Sequence, residues 1–345
     1  MPGVFVETVR IQNFGCVKDA RLELTRLHAL IGPNDSGKST VLGAIRTEAE
    51  LLQWGEQILQ EAGRLDPRGM PGTTITMRSP AATIACGRDD GGWGIDIDGE
   101  VRPAWRLDHP SWLQGRIELA SPARGATVVR WDPDAMRRPC ELIPDGRPLT
   151  IGEKGEGIPA IYEAILSRDR QAFDAIEAGV RHHFPTVKAI WLPTSIESKK
   201  ALGVTLTDGT RVHADVMSEG LLYWLAFAIL PHVAQNAFLL IEEPENGLHP
   251  SRIAEVMKAL RALSQHVQVV LATHSPLVIN ELEPEEVTLI TRDSNSGTRA
   301  TRIDRTSHFR QRNKVYALGE LWLSFADGDS EAALVPADDS SHVAG

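Results

Sequence analysis

The chain has 345 residues, 42% hydrophobic and 24% charged, with a formal net charge of −10. That length allows about two domains, or one large domain carrying an insertion, and the composition excludes whole-chain disorder. The acidic balance argues against coating of nucleic acid by the whole surface and leaves only a local basic patch for such contact. The longest apolar run, Leu221 to Leu230, has ten residues before Pro231, against the ~20 a membrane span needs. The first residues lack a basic start followed by an apolar core, so they do not read as a secretory signal. Cys16, Cys86 and Cys140 are scattered, which excludes a disulfide scaffold and a CxxC zinc site. A reducing cytoplasmic location is the expectation.

In chain order, Val4 to Ile11, Ala20 to Leu24 and His28 to Ile31 read as strands, the last a buried one ending in glycine. Lys38 to Leu52 reads as a helix, with Val41, Leu42, Ile45 and Leu51 apolar. Short strands are expected at Thr74–Met77, Ala82–Cys86, Trp93–Ile97, Arg116–Leu119 and Ala126–Trp131, punctuated by Asp90-Gly91-Gly92 and Asp98-Gly99 turns. Residues 158–183 carry Ile161, Ile165, Phe173 and Ile176 at helical spacing. Val187–Leu192, Val204–Leu206 and Val212–Ala214 read as strands, the last two joined by an Asp208-Gly209 turn. From 217 onward strands and helices alternate: helix Leu221–Leu230, strand Phe238–Ile241, helix Ile253–Leu263, strand Val267–Leu271, helix Pro276–Leu282 and strand Val287–Ile290. Alternation of this kind predicts a mostly parallel sheet. The tail has acids and no Lys or Arg over 324–345, and reads as disordered.

The chemistry concentrates in four places. Gly32-Pro33-Asn34-Asp35-Ser36-Gly37-Lys38-Ser39-Thr40 contains G-x-x-x-x-G-K-[ST] between a strand and a helix. Glycines let backbone N–H groups curl around phosphates, Lys38 neutralises them, and the Ser39 hydroxyl reaches Mg²⁺ at a helix N-terminus. Phe238-Leu-Leu-Ile241 ends in Glu242 and Glu243, which puts two carboxylates at the sheet edge where α/β folds bind ligands. One can assist Mg²⁺, and the next can take a proton from an attacking water. His274 follows the apolar strand Val269–Leu271 and is set to contact a terminal phosphate or to serve as a hydrogen-bonded structural histidine. Ser218 and Gly220, at the start of the apolar helix, read equally as a second anion site or as an ordinary N-cap.

Taken in order, these motifs resemble the ABC-type ATPase heads of the RecF, structural-maintenance-of-chromosomes (SMC) and OLD (overcoming-lysogenization-defect) group, within the AAA-family ATPases. The residues behind this are Ile11-Gln-Asn13-Phe14, GPNDSGKST, SEGLLYWLAFAIL, LLIEEPENGLHP and LATHSP. The resemblance covers 1–50 and 200–290. It implies a P-loop α/β fold: a discontinuous nucleotide-binding core from 1–50 and 200–316, with a β-rich and helical insert over 51–199. It further implies an ATPase using ATP and Mg²⁺ that dimerises head-to-tail around nucleotide. In that arrangement Gly32 to Thr40 hold phosphates, Ser39 and Glu242 the metal, Glu243 is the base and His274 the switch histidine. Ser218 and Gly220 reach the terminal phosphate in trans, and Asn246 lines the seam. The expected role is a switch in DNA maintenance or anti-phage defence, working with a separate effector such as a nuclease, because no room remains after residue 320 for a Toprim domain. An ATP-gated scaffold with little turnover is the alternative. A transporter subunit is disfavoured because the signature is SEG rather than SGG and no Q-loop glutamine can be assigned. A basic segment, Arg292 to Lys314, has seven cations against Asp293 and Asp304. It reads as a DNA-phosphate contact or a solvated surface.

Overall fold

The computed structural model describes residues 5–54, 56–103, 121–195, 198–233, 236–293 and 297–306. The expected strand Arg116–Leu119, the stretch Ala317 to Trp322, the cations Arg310, Arg312 and Lys314, and the 324–345 tail lie outside them.

The core is a six-stranded sheet. Its strands are β3 (Leu27–Ile31), β8 (Ala126–Val129), β12 (Phe238–Glu242), β13 (Gln268–Thr273), β14 (Val287–Asp293) and β15 (Gly297–Arg302), in the order β15-β14-β3-β13-β12-β8. Five run parallel and β15 returns antiparallel on β14. Every residue of β3 and β13 is buried, as a strand covered on both faces requires. Side chains alternate between the faces. Ala29, Ile31, Leu239, Ile241, Val269 and Leu271 join one apolar cluster, and Leu30, Leu240, Val270 and Ala272 join the other.

One face is covered by the helix α1 (Lys38–Trp54), followed by α2 (Glu56–Glu61). Beyond α1 lies a second, antiparallel sheet of β1 (Thr8–Phe14), β2 (Val17–Glu23), β4 (Gly69–Arg78), β5 (Thr83–Asp89), β6 (Gly92–Ile97) and β7 (Glu100–Pro103), in the order β2-β1-β4-β5-β6-β7. Helices cover the other face. They are the short α3 (Pro133–Met136), α4 (Ile158–Arg168), α5 (Arg170–His183), α6 (Glu219–Ile229), α7 (Pro250–Leu263) and α8 (Pro276–Ile279), joined by a small sheet of β9 (Val187–Trp191), β10 (Gly203–Leu206) and β11 (Arg211–His213). The helical stretch expected over 158–183 is present and divides into two helices. Asp169 leaves helical geometry, and its side chain accepts from Ala172 N to cap α5.

The architecture is the expected one, α/β with a mostly parallel core sheet and antiparallel β elements. The sheets do not follow the division expected from sequence: β8, from within 51–199, pairs in parallel with β12 inside the core sheet. β1 and β2, from the first 50 residues, pair instead with β4 in the antiparallel sheet. No helix among the described residues is long and apolar enough to cross a membrane.

One core residue has a consequence for stability. Glu48 on α1 is fully buried beneath the antiparallel sheet. Burial pushes its carboxyl well above the ordinary 4.5, against a smaller opposing pull from the Met77 backbone. The native state therefore holds a proton there that the unfolded chain releases near 4.5. Between the two values stability falls as pH rises, by about 1.4 kcal/mol per pH unit. Glu48→Gln is expected to remove that slope and raise the melting temperature at pH 8 more than at pH 5. Parallel pH dependence of unfolding in both proteins counts against it.

Candidate functional site

The parallel register brings the ends of the core strands level. Thr273 pairs with Ile31, Glu242 with Ala272, and Ile241 with Val129. The residues that follow, Gly32, Glu243, His274 and Arg130, therefore leave the sheet along one edge, where α/β folds collect ligand-binding groups.

From Gly32 the chain turns into the loop and enters α1. Asp35 takes a left-handed backbone (φ 64°), and Val41 N donates to Gly37 O at 2.9 Å as the helix begins. Lys38 Nζ folds back over the loop and donates to Gly32 O at 2.7 Å and Pro33 O at 2.8 Å. Burial lowers the Lys38 ammonium from its usual value, opposed by Glu243, Asp35, Glu242 and Glu245. Ser36 is buried, and its carbonyl accepts from Thr298 Oγ1 on β15 at 3.0 Å. Ser39 Oγ donates to Glu242 Oε2 at 3.2 Å. Thr40 Oγ1 lies 3.4 Å from Cys16 Sγ, which ties the β1–β2 turn to the loop. Pro33 and Asn34 form the exposed outer turn.

Glu243 follows β12 with φ 50°, a conformation that costs a non-glycine residue about 1–3 kcal/mol and that collects at functional sites. Two backbone bonds fix it, Glu243 N to Ala272 O (2.7 Å) and Asn246 N to Glu243 O (3.0 Å). Asn246 Nδ2 donates to Glu243 Oε2 at 2.5 Å. His274 Nδ1 lies 3.6 Å from Glu243 Oε1 and 4.0 Å from Glu245 Oε1. Thr273 Oγ1 donates to that same Glu245 oxygen at 2.6 Å and accepts from Ser275 N at 3.0 Å. Glu245 thus braces the turn that carries His274.

The structure brings together Gly32 to Thr40, Glu242, Glu243 and His274. Ser218 and Gly220 start α6. Ser218 is the N-cap residue, but its side chain makes no capping hydrogen bond, so the N-cap reading loses its usual physical basis. A Cβ on Gly220 would meet Gly247 O at 3.5 Å, which places the α6 start beside the turn after β12.

Four residues that sequence reasoning missed take part. Glu245 is one and Thr298 another. Arg68, paired with Asp66 at 2.5 Å, donates from Nη1 to Ser39 O at 3.0 Å. It crosses α1 where Gly43 leaves room, since a Cβ there would lie 2.1 Å from Arg68 Nη2. Arg130 approaches Glu242 from the end of β8, with Nη1 3.8 Å from Oε2. The basic segment is partly spent internally: Arg302 and Arg305 pair with Glu23, and Arg302 also with Asp304.

Among the described residues no group of three or more His, Cys, Asp or Glu side chains could hold a metal unaided. The Ser39 hydroxyl beside the Glu242 carboxylate is instead a pair of hard oxygens, a donor set that suits Mg²⁺ completed by nucleotide phosphates and water.

Comparisons with known proteins fall on the same segments. A family model described as "AAA domain, putative AbiEii toxin, Type IV TA system" matches residues 156–280. A second, described as "AAA ATPase domain", matches residues 5–47. Among solved structures, the chain is similar to an SMC head bound to the C-terminal winged-helix domain of ScpA (TM-score 0.57, 14% identity, 86% of this chain and 97% of that one). It is similar to an SMC head with an extended coiled coil bound to the C-terminal domain of ScpA, from Pyrococcus furiosus (TM-score 0.56, 12% identity, 90% and 100%). A third is the SMC head domain from Thermotoga maritima (TM-score 0.50, 13% identity, 87% and 99%). The fold is that of an SMC head-like P-loop NTPase.

Proposed function

We propose that the protein is an ATP-hydrolysing head that closes as a dimer around Mg-ATP and reopens after hydrolysis. The observation that carries this reading is the contact of Ser39 Oγ with Glu242 Oε2. It joins the loop that carries Lys38 to the strand end that carries Glu243. In this reading the loop backbone from Gly32 to Gly37 and Lys38 hold the phosphates, with Thr40 at the start of the helix behind them. Ser39 and Glu242 hold Mg²⁺, which polarises the phosphate oxygens. Glu243 accepts the proton of the attacking water, and His274 orients toward the terminal phosphate. Asn246 and Glu245 position these two groups. Ser218 and Gly220, at a helix start whose cap hydroxyl makes no capping bond, serve the phosphate of the opposing protomer.

The role is a nucleotide-driven switch for a separate effector chain, such as a nuclease, in DNA maintenance or anti-phage defence. The likeness to SMC heads that bind a partner domain supports the effector part. Direct DNA contact has weaker support, because Arg302 and Arg305 are committed to Glu23. The test is phosphate release together with size by light scattering, with and without Mg-ATP. Turnover and a nucleotide-dependent doubling of mass are expected. No binding of ATP sinks the reading, and a size indifferent to nucleotide removes the closing step. A scaffold with little turnover is favoured by one feature, the Asn246 hydrogen bond that occupies the Glu243 carboxylate. It predicts binding and doubling with negligible phosphate release.

A further inference from the structure

Arg130 is the first residue beyond β8, and the Val129–Ile241 pairing sets it beside Glu242. Its Nη1 stands 3.8 Å from Glu242 Oε2, the oxygen that accepts from Ser39 Oγ. At that distance the contact is an ion pair without a hydrogen bond. The two ends of the residue differ in freedom. Its backbone N donates to Glu153 O at 2.7 Å, and Asp132 N to Lys154 O at 3.1 Å. Between them Trp131 is buried and packs edge-on against Phe227 of α6, with ring centroids 5.8 Å apart. The side chain is 69% exposed, while Glu242 is only 20% exposed. A fixed backbone therefore carries a guanidinium tip that can swing.

The charges around it explain why it sits there. Asp35, Glu242, Glu243 and Glu245 all act on Lys38, and Glu242 also acts on Arg68, whose guanidinium is paired with Asp66. Arg130 is a further cation at Glu242 and approaches its Oε2 directly. A divalent cation on that carboxylate would repel the guanidinium, and a triphosphate would offer it a better partner. The planar fork of arginine suits both carboxylate and phosphate oxygens.

We propose that Arg130 is a charge-exchange residue, pairing with Glu242 when nucleotide is absent and moving to the terminal phosphate of ATP when Mg²⁺ takes Glu242. This rests on reading the site as a Mg-ATP site. It makes Arg130 a sensor of triphosphate against diphosphate, attached through Trp131 to the helix that starts at Ser218.

The test is calorimetric binding of a non-hydrolysable ATP analogue and of ADP, in Mg²⁺ or in EDTA, to wild type, Arg130→Ala and Arg130→Lys. With Mg²⁺, Arg130→Ala is expected to bind the triphosphate about tenfold more weakly and ADP within about twofold of wild type, the size of one charge-assisted hydrogen bond at an exposed position. Arg130→Lys recovers part of the loss. In EDTA, wild type and Arg130→Ala bind the triphosphate alike, because the arginine stays on Glu242. Equal weakening of both nucleotides, no weakening of either, or a lowered melting temperature with loss of both overturns the assignment. Wild type that binds neither nucleotide overturns the Mg-ATP reading instead.

Discussion

Glu243→Gln is expected to release phosphate from ATP about 10²–10³-fold more slowly than wild type, within the range usual for loss of a general base, with ATP affinity held within about twofold. The residue leaves β12 in a left-handed conformation at φ 50°, held by its own N–H on Ala272 O and by its carbonyl accepting from Asn246 N. Neither bond involves the side chain, so the substitution leaves the backbone where it is. Glutamine also keeps an oxygen for the Asn246 Nδ2 donor that now meets Glu243 Oε2. It loses the capacity to accept a proton and the negative charge that acts on Lys38. The pair proposed to hold the metal is spared, because Ser39 bonds to Glu242 and not to Glu243. Single-turnover phosphate release measured beside nucleotide binding separates the two effects. Equal rates in wild type and variant would remove Glu243 from the chemistry and favour the scaffold reading. Loss of binding would mean that the residue holds the loop rather than the water.

The parts of this site that were legible in the sequence are those in which one short segment carries both the backbone geometry and the chemistry. Gly32 to Ser39 states its own turn, its cation and its helix start. Phe238 to Glu243 states a buried strand and the two acids at its end. The missed residues are of another kind. Arg68, Arg130 and Thr298 each reach the site from a segment with no local signal, and only strand pairing tells where they arrive. Arg130 depends on β8 lying against β12, a parallel pairing between residues more than a hundred apart in the chain. Thr298 depends on β15 folding back on β14. Glu245 sits inside a motif that was read, but its bond to Thr273 requires β12 and β13 to be neighbours. Ser218 shows the converse. Its sequence position fits an N-cap, and its backbone angles agree, yet the hydroxyl does not cap. Helix-end statistics alone did not separate these two uses.

Gly32→Ala is expected to abolish measurable nucleotide binding, with a fall of more than about 100-fold, and to cost about 1–3 kcal/mol of stability, the range for a group forced into filled space. The argument is steric. A Cβ on Gly32 would lie 2.1 Å from the backbone oxygen of Ile290 and 2.8 Å from Ser36 Oγ. Ile290 belongs to β14, which pairs with β3 through Leu289 and Ile31 just before the loop. Its carbonyl cannot withdraw without opening the sheet, so Gly32 must move instead. Moving it displaces the oxygen that accepts from Lys38 Nζ and the loop that Thr298 pins through Ser36 O. A glycine elsewhere supplies the control. A Cβ on Gly179 of α5 meets nothing within 4 Å, and Gly179→Ala is expected to raise stability by about 0.5–1 kcal/mol through helix propensity with no effect on nucleotide. Denaturant melts and nucleotide titrations of the pair make the comparison. If Gly32→Ala binds nucleotide as wild type does, the close approach of the loop to β14 is not what shapes the phosphate site. If both variants lose binding together, the loss belongs to glycine replacement in general and the steric account fails.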